Sequence, residues 1–281
     1  MILNLSGVIF MDDLNLEINN FRQINKAKIN IKMINVVGGV NTSGKSTVSK
    51  ILYCYLKSEI DDESLDYLLD SEDLSDLEDS NIKFESNFNF SEIFYIDNLS
   101  VLDLKDLEIL RVDHITHIKD ALEEDKNNNG SDILSKIQKI IPNYYFDSQI
   151  SAGIKEIGIL QIILQNNKLK ENSFLIIEEP EASLHPEWEI KFAEILVLLA
   201  KELNIHIYLN SHSPMFIEAI SLYSQYYDLI SQTNFYLTQK QSNGKYNFKK
   251  INPKNMGEVY ENLTRPYDEL DKLKAKILFK E

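Results

Sequence analysis

Cysteine is almost missing from this sequence of 281 residues: Cys54 is the only one. A disulfide within the chain is therefore excluded, and a reducing cytoplasm is the expected location. Cys54 falls in a helical stretch, where filling the core is the expected role and a reactive thiol the alternative. Long apolar runs are missing as well. Runs such as Phe174 to Ile177 and Ile195 to Ala200 fall far short of the ~20 residues that span a bilayer. No basic segment leads into an apolar one at the N-terminus, so neither an export signal nor a membrane partner is expected. Positive charge is scarce: 29 Lys and Arg against 44 Asp and Glu leave a net of −15. Such a balance argues against a chain that coats nucleic acid non-specifically. The deficit is local. Eleven acidic residues and no Lys or Arg lie between Ser58 and Ile82, so the remainder is close to neutral and a local basic face is still allowed. Residues 59–80 read as a solvated helical excursion, with an acidic docking surface as the alternative. At 43% apolar and 26% charged, the composition is that of an ordinary globular protein able to bury a substantial core.

What is present is concentrated in one stretch. Gly39-Val40-Asn41-Thr42-Ser43-Gly44-Lys45-Ser46, followed by Thr47, spells the phosphate-cradling pattern G-x-x-x-x-G-K-S without a mismatch. Glycines let the backbone curl round an anion so that several N–H groups point inward. Lys45 can reach terminal phosphates, and the Ser46 hydroxyl can hold a magnesium ion. The flanks agree with the motif. Met33 to Val37 is an apolar run of strand length, while Val48, Ile51, Leu52, Tyr55 and Leu56 recur at helical spacing. Strand, loop and helix in that order place a phosphate at a helix N-terminus, where free N–H groups and the helix dipole favour negative charge. A plain glycine-rich turn would need none of this context. The chain is expected to bind a nucleoside triphosphate.

Taken in order, residues 1–37 read as a β-layer. Leu14, Leu16 and Ile18 alternate with polar neighbours, Asn20-Phe21-Arg22 breaks the run, and Ala27, Ile29, Ile31 and Met33 alternate again. Ile82 to Leu99 is strand-like with aromatic weight from Phe84, Phe88, Phe90, Phe94 and Tyr95. Residues 101–141 read as helical, broken by a loop at Lys126 to Gly130. His114 and His117 sit three apart there, as surface or packing histidines rather than a metal pair. Ser151-Ala152-Gly153 precedes a helix carrying Ile154, Ile157, Leu160, Ile163 and Leu164. Phe174 to Ile177 reads as a strand buried on both faces of a parallel sheet. A helix starting at Pro186 follows, then a strand from Ile205 to Leu209 that runs into Asn210-Ser211-His212-Ser213-Pro214. Phe235 to Lys240 and Lys245 to Ile251 flank Asn243-Gly244 as a hairpin, and a helical tail spans about 256–280. The expected class is α/β: a mostly parallel sheet with an antiparallel β-layer and an inserted helical lobe. Residues 1–58 and 141–281 would form the nucleotide lobe, and residues 59–140 the acidic, helical insertion.

Glu178 and Glu179 end the Phe174–Ile177 run, and ligands of open α/β sheets sit beyond the carboxyl ends of strands. Magnesium takes oxygen ligands, usually one or two carboxylates beside substrate phosphates. Glu178 suits that coordination, and Glu179 suits polarising the water that attacks a γ-phosphate. Two solvent-facing glutamates after a strand are the plainer alternative.

These residues carry a resemblance. Glu178-Glu179-Pro180-Glu181-Ala182-Ser183-Leu184-His185-Pro186 resembles the E-P-E-x-x-L-H-P stretch of ABC-type ATPases in the RecF, SMC and OLD (overcoming lysogenization defect) group. The order of phosphate loop, Ser151-Ala152-Gly153, acidic strand and His212 is similar too, as is the early Asn20-Phe21-Arg22. The resemblance implies a P-loop NTPase of ABC type that uses ATP and Mg2+. It makes Ser151 and Gly153 a signature motif that meets the γ-phosphate of a second copy, so that a homodimer sandwiches ATP. A serine-capped helix start is a natural anion site, which agrees. It makes His212 the switch histidine that reads the γ-phosphate, a buried histidine after a strand being the alternative, and Ser183 to His185 the segment that crosses the dimer interface. Arg22 would touch phosphate, a surface arginine being the simpler alternative. Departures are visible: Glu178 stands where Asp is commonest, Ala152 where Gly or Ser is common, and no Q-loop glutamine stands out between 60 and 140. No long heptad run supplies an SMC-like arm. The implied activity is ATP hydrolysis that controls a separate effector (nuclease or toxin) or a nucleic-acid process, as in bacterial anti-phage modules. A transporter's nucleotide-binding subunit and a non-hydrolysing ATP clamp are the alternatives.

Overall fold

The computed structural model describes residues 14–58, 81–86, 88–96, 131–140, 152–182 and 184–278. The acidic stretch 59–80, His114 and His117, Ser151 and Ser183 lie outside the described residues. The alternation at the start of the chain becomes β1 (Leu14–Phe21) and β2 (Ile24–Ile31), an antiparallel pair whose apolar residues all face one side. The wholly buried β3 (Ile34–Gly38) leads through the glycine loop into α1 (Lys45–Ser58). Then come β4 (Asn81–Glu85), β5 (Glu92–Ile96), α2 (Ser131–Ile140) and α3 (Ala152–Gln165). The second half alternates regularly: β6 (Ser173–Glu178), α4 (Pro186–Leu203), β7 (His206–Ser211) and α5 (Pro214–Tyr226). A hairpin of β8 (Thr233–Lys240) and β9 (Tyr246–Ile251) precedes α6 (Gly257–Leu263) and α7 (Arg265–Leu278).

The described strands form one nine-stranded sheet in the order β4-β1-β2-β9-β8-β3-β7-β6-β5. From β8 to β5 every neighbour is parallel, whereas β1 with β2, β1 with β4 and β8 with β9 are antiparallel. This is the mostly parallel sheet with an antiparallel layer that the hydrophobic patterns predict. Side chains of the central strands alternate between two cores. Phe174 and Ile176 face the side of α1, where Val48, Ile51, Leu52 and Leu56 pack. Leu175 and Ile177 face the side of α3, α4 and α5. Burial on both faces explains the unbroken apolar run of β6.

Two findings differ from the sequence reading. The described part of the 82–99 stretch holds two short strands on opposite edges of the sheet, β4 beside β1 and β5 beside β6. Residues 92–96 join the main body because Ile93 to Ile96 are too apolar to leave its core, and each is at most 1% exposed. Helix α5 has no counterpart in the reading above. Its signal is Ser213-Pro214: Ser213 caps the helix by accepting from Phe216 N at 3.2 Å, and Pro214 occupies the first turn.

Candidate functional site

Sheet register builds the site. Gly38 lies opposite Ser211, and Asn210 opposite Glu178, so the carboxyl ends of β3, β7 and β6 finish side by side. Gly39 N donates to Ser211 O (3.2 Å) and Glu179 N to Asn210 O (2.8 Å), which ties the first residues beyond β3 and β6 to β7. Two glycines are required by their surroundings. A Cβ on Gly39 would sit 1.9 Å from Thr238 Oγ1, and Gly44 has φ of +92° with Ile24 Cγ1 2.8 Å from where its Cβ would be.

A cleft of about 300 Å³ opens over this loop. It is lined by Asn41, Thr42, Ser43, Gly44, Lys45, Ser46 and Thr47, by Glu179 across from them, and by Arg22 and Gln23 of the β1–β2 turn. Gly39 and Val40 bend the backbone beneath Lys45. Its ammonium donates to Gly39 O (2.8 Å) and Val40 O (3.0 Å). Burial pulls the Lys45 pKa below its ordinary value, opposed by the negative charges of Glu179, Glu181 and Glu178. Ser46 is exposed to the cleft, and the Ser43 hydroxyl is buried without a partner.

The acidic side is organised as closely. Glu178 accepts from Tyr95 Oη at 2.6 Å, so one carboxylate oxygen is held from β5. Glu179 has φ of +51°, a left-handed conformation for a non-glycine residue. Such conformations cost on the order of 1 kcal/mol or more and gather at functional sites. His212 Nδ1 lies 3.6 Å from Glu179 Oε1 and 3.4 Å from Glu181 Oε1. Asn210 donates from its side chain to Ser49 of α1, which joins the acidic end to the loop helix.

A family profile described as "AAA domain, putative AbiEii toxin, Type IV TA system" matches residues 124–218. Comparison with curated proteins gives no match. Among solved structures, the SMC head domain from Thermotoga maritima aligns with a TM-score of 0.51 at 11% identity, over 86% of this chain and all (100%) of that one. The cbiO1 protein from Clostridium perfringens, part of the ABC transporter complex cbiONQ, aligns at 17% identity with a TM-score of 0.46, over 92% of this chain and 100% of that one. A SmcHead bound to the C-winged helix domain of ScpA aligns at 11% identity and 0.46, over 85% and 97%. Only the first exceeds 0.5, and at its identity it shows the fold alone.

The fold is the P-loop α/β fold seen in that SMC head domain. The loop residues Gly39 to Thr47, together with Glu178, Glu179 and His212, lie at the carboxyl ends of adjacent parallel strands. Gly153 lies in the first turn of α3, since the helix starts at Ala152. Arg22 has φ of +46° and lines the cleft from the β1–β2 turn. The donor set suits magnesium: a cleft-facing Ser46 hydroxyl and strand-end carboxylates supply hard oxygen ligands, beside a helix N-terminus for phosphate. Among the described residues no cluster of three or more His, Cys, Asp or Glu that could hold a metal ion forms. Tyr95, Asn210 and Glu181 went unassigned in sequence. Glu181 stands within the quoted motif, but spacing gives no sign that its side chain turns inward to 5% exposure.

Proposed function

We propose that this head binds ATP with magnesium, hydrolyses it, and does so as a head-to-tail dimer that governs a separate effector. The observation that carries the reading is that Lys45, Ser46 and Glu179 line one cleft, with His212 Nδ1 3.6 Å from Glu179 Oε1. Lys45 would leave its two loop carbonyls for the terminal phosphates, and the N-terminus of α1 would hold them. Ser46 and Glu178 would hold magnesium, which would neutralise charge on the phosphates. Glu179 accepts the proton of the attacking water as oxygen bonds to the γ-phosphorus and the bond to the bridging oxygen breaks, releasing ADP. His212 hydrogen-bonds the γ-phosphate and reports its presence.

By the family resemblance, Ser151 and Gly153 of a second copy close the site from above, which makes the cycle one of association and release. The matched family's description names a type IV toxin–antitoxin system. That supports a role in controlling an effector of nuclease or toxin kind, or a nucleic-acid process, in anti-phage defence. No helix among the described residues is long and apolar enough to cross a membrane. The test is sedimentation of the Glu179→Gln protein with ATP and Mg2+, followed by identification of co-purifying proteins. A dimer that forms with ATP and dissolves when Lys45 is also changed to Ala is expected; a monomer at every concentration would remove the sandwich.

A further inference from the structure

Glu181 is a buried acid that the hydrolytic scheme does not use. It lies in the connection from β6 to α4, within consecutive turns closed by Ala182 N to Glu179 O (2.8 Å) and Leu184 N to Glu181 O (3.0 Å). Its carboxylate leaves this connection and enters the neighbouring one, between β7 and α5. There one oxygen, Oε1, accepts from Ser211 Oγ (2.8 Å), His212 N (2.8 Å) and Ser213 N (3.1 Å). The other oxygen is buried without a partner. A second carboxylate from the same side, Glu189 of α4, accepts from Ser213 Oγ at 2.7 Å. Ser213 in turn caps α5. Three consecutive residues of the His212 loop are thus fastened to the segment that carries Glu179.

The cost shows that this is more than surface decoration. A carboxylate at 5% exposure loses its hydration, and its three hydrogen bonds only partly offset that loss. An apolar residue would avoid that loss but leave the His212 and Ser213 N–H groups without this acceptor. What the acid supplies is geometry: His212 hangs from a backbone whose N–H groups on both the histidine and the next residue point at a single oxygen, with Nδ1 3.4 Å from that same oxygen.

We propose that Glu181 is the positioning residue of this head: it sets His212 against Glu179 and so fixes where the γ-phosphate is read. This rests on the ATPase reading above. Glu181 touches no substrate and acts through His212. Its removal therefore leaves nucleotide capture at Lys45 and Ser46 in place and lowers turnover.

The test combines Glu181→Ala, Glu181→Gln and His212→Ala, alone and paired. Misplacing a catalytic group by about 1 Å costs on the order of 100-fold in rate, so Glu181→Ala is expected to lower kcat by about that factor with KM for ATP nearly unchanged. Glu181→Gln keeps the accepting oxygen and is expected to restore kcat to within about threefold of wild type. In a His212→Ala background, Glu181→Ala should cost less than about twofold more, because a residue acting through His212 has nothing left to position. Independently of turnover, amide hydrogen exchange at His212 and Ser213 in the nucleotide-free protein should quicken at least about tenfold in Glu181→Ala and stay protected in Glu181→Gln. Unchanged exchange, or Glu181→Ala and His212→Ala effects that multiply, would overturn the proposal. Should Glu181→Ala fail to fold, Glu181→Asp, which withdraws the carboxylate by one methylene, takes its place in both readouts. A wild type without turnover but with the exchange pattern expected here would sink the ATPase reading and leave the bracket standing.

Discussion

Strands β6 and β7 lie side by side over their whole length, yet their two ends are different materials. At the carboxyl end stand Glu178, Glu179, Asn210 and Ser211, polar, hydrogen-bonded across strands and bent at Glu179 into a left-handed turn. At the amino end Phe174 and His206 pack with Phe88 and Phe90, ring centroids 5.0 to 6.0 Å apart. Burial there pushes His206 down to about 4, so the imidazole is neutral and serves as one more ring. One end spends stability on placed charge, and the other recovers it through packing. The strands themselves are the rigid link that lets a strained, polar edge exist.

The comparison can be broken at either end. The largest effect is expected at Phe174, which is fully buried: Phe174→Ala should lower unfolding stability by about 3–5 kcal/mol. Below the new unfolding midpoint, turnover per folded molecule should hardly change. Glu179→Gln should do the reverse. Turnover falls by about 100-fold or more, while denaturant midpoint and ATP binding hold.

His206 gives the pH dependence. Its ordinary value is 6.5 and its folded value about 4, so between these limits the unfolded chain binds more protons and stability falls as pH falls. The loss approaches roughly 3 kcal/mol at pH 4. His206→Phe removes it, and the difference in urea midpoint between pH 7 and pH 4.5 should shrink accordingly. An unchanged slope would mean that His206 is not the group responsible for the pH dependence.

Tyr95→Phe tests the finer link between the two ends. Loss of its hydrogen bond to Glu178 removes about 1 kcal/mol of positioning. The Mg2+ concentration for half-maximal turnover should therefore rise by about fivefold, with little change in unfolding. The smallest effect concerns Cys54, 1% exposed and with a thiol that burial pushes up to about 11. It should resist thiol reagents at pH 8 until the protein is denatured.

How much of this was legible in the sequence follows from how each feature is encoded. The phosphate loop is readable because a local conformation needs glycine at fixed positions and a lysine after them. The central strands are readable because burial on both faces leaves no room for polar residues between Phe174 and Ile177. The hairpin announced itself through Asn243-Gly244, where Gly244 takes φ of +85°. Long-range partners are a different matter. Nothing local to Glu181 says that three donors of the 211–213 loop will surround it, and nothing near Tyr95 points to Glu178, which lies 83 residues away. Both contacts depend on strand order, and β5 reaches its place at the edge only through the register of the finished sheet. Helix α5 is signalled only by Ser213-Pro214, a cap and first-turn pair that overlaps the His212 segment.

The central claim is that the polar end of these strands is an ATP-hydrolysing site. Its most direct test is phosphate release from ATP and Mg2+, measured per protomer across a range of protein concentrations for the wild type and Glu179→Gln. The account predicts wild-type turnover that rises with concentration as heads pair, and a flat baseline for the variant. Wild-type release no greater than the variant's at any concentration would contradict it.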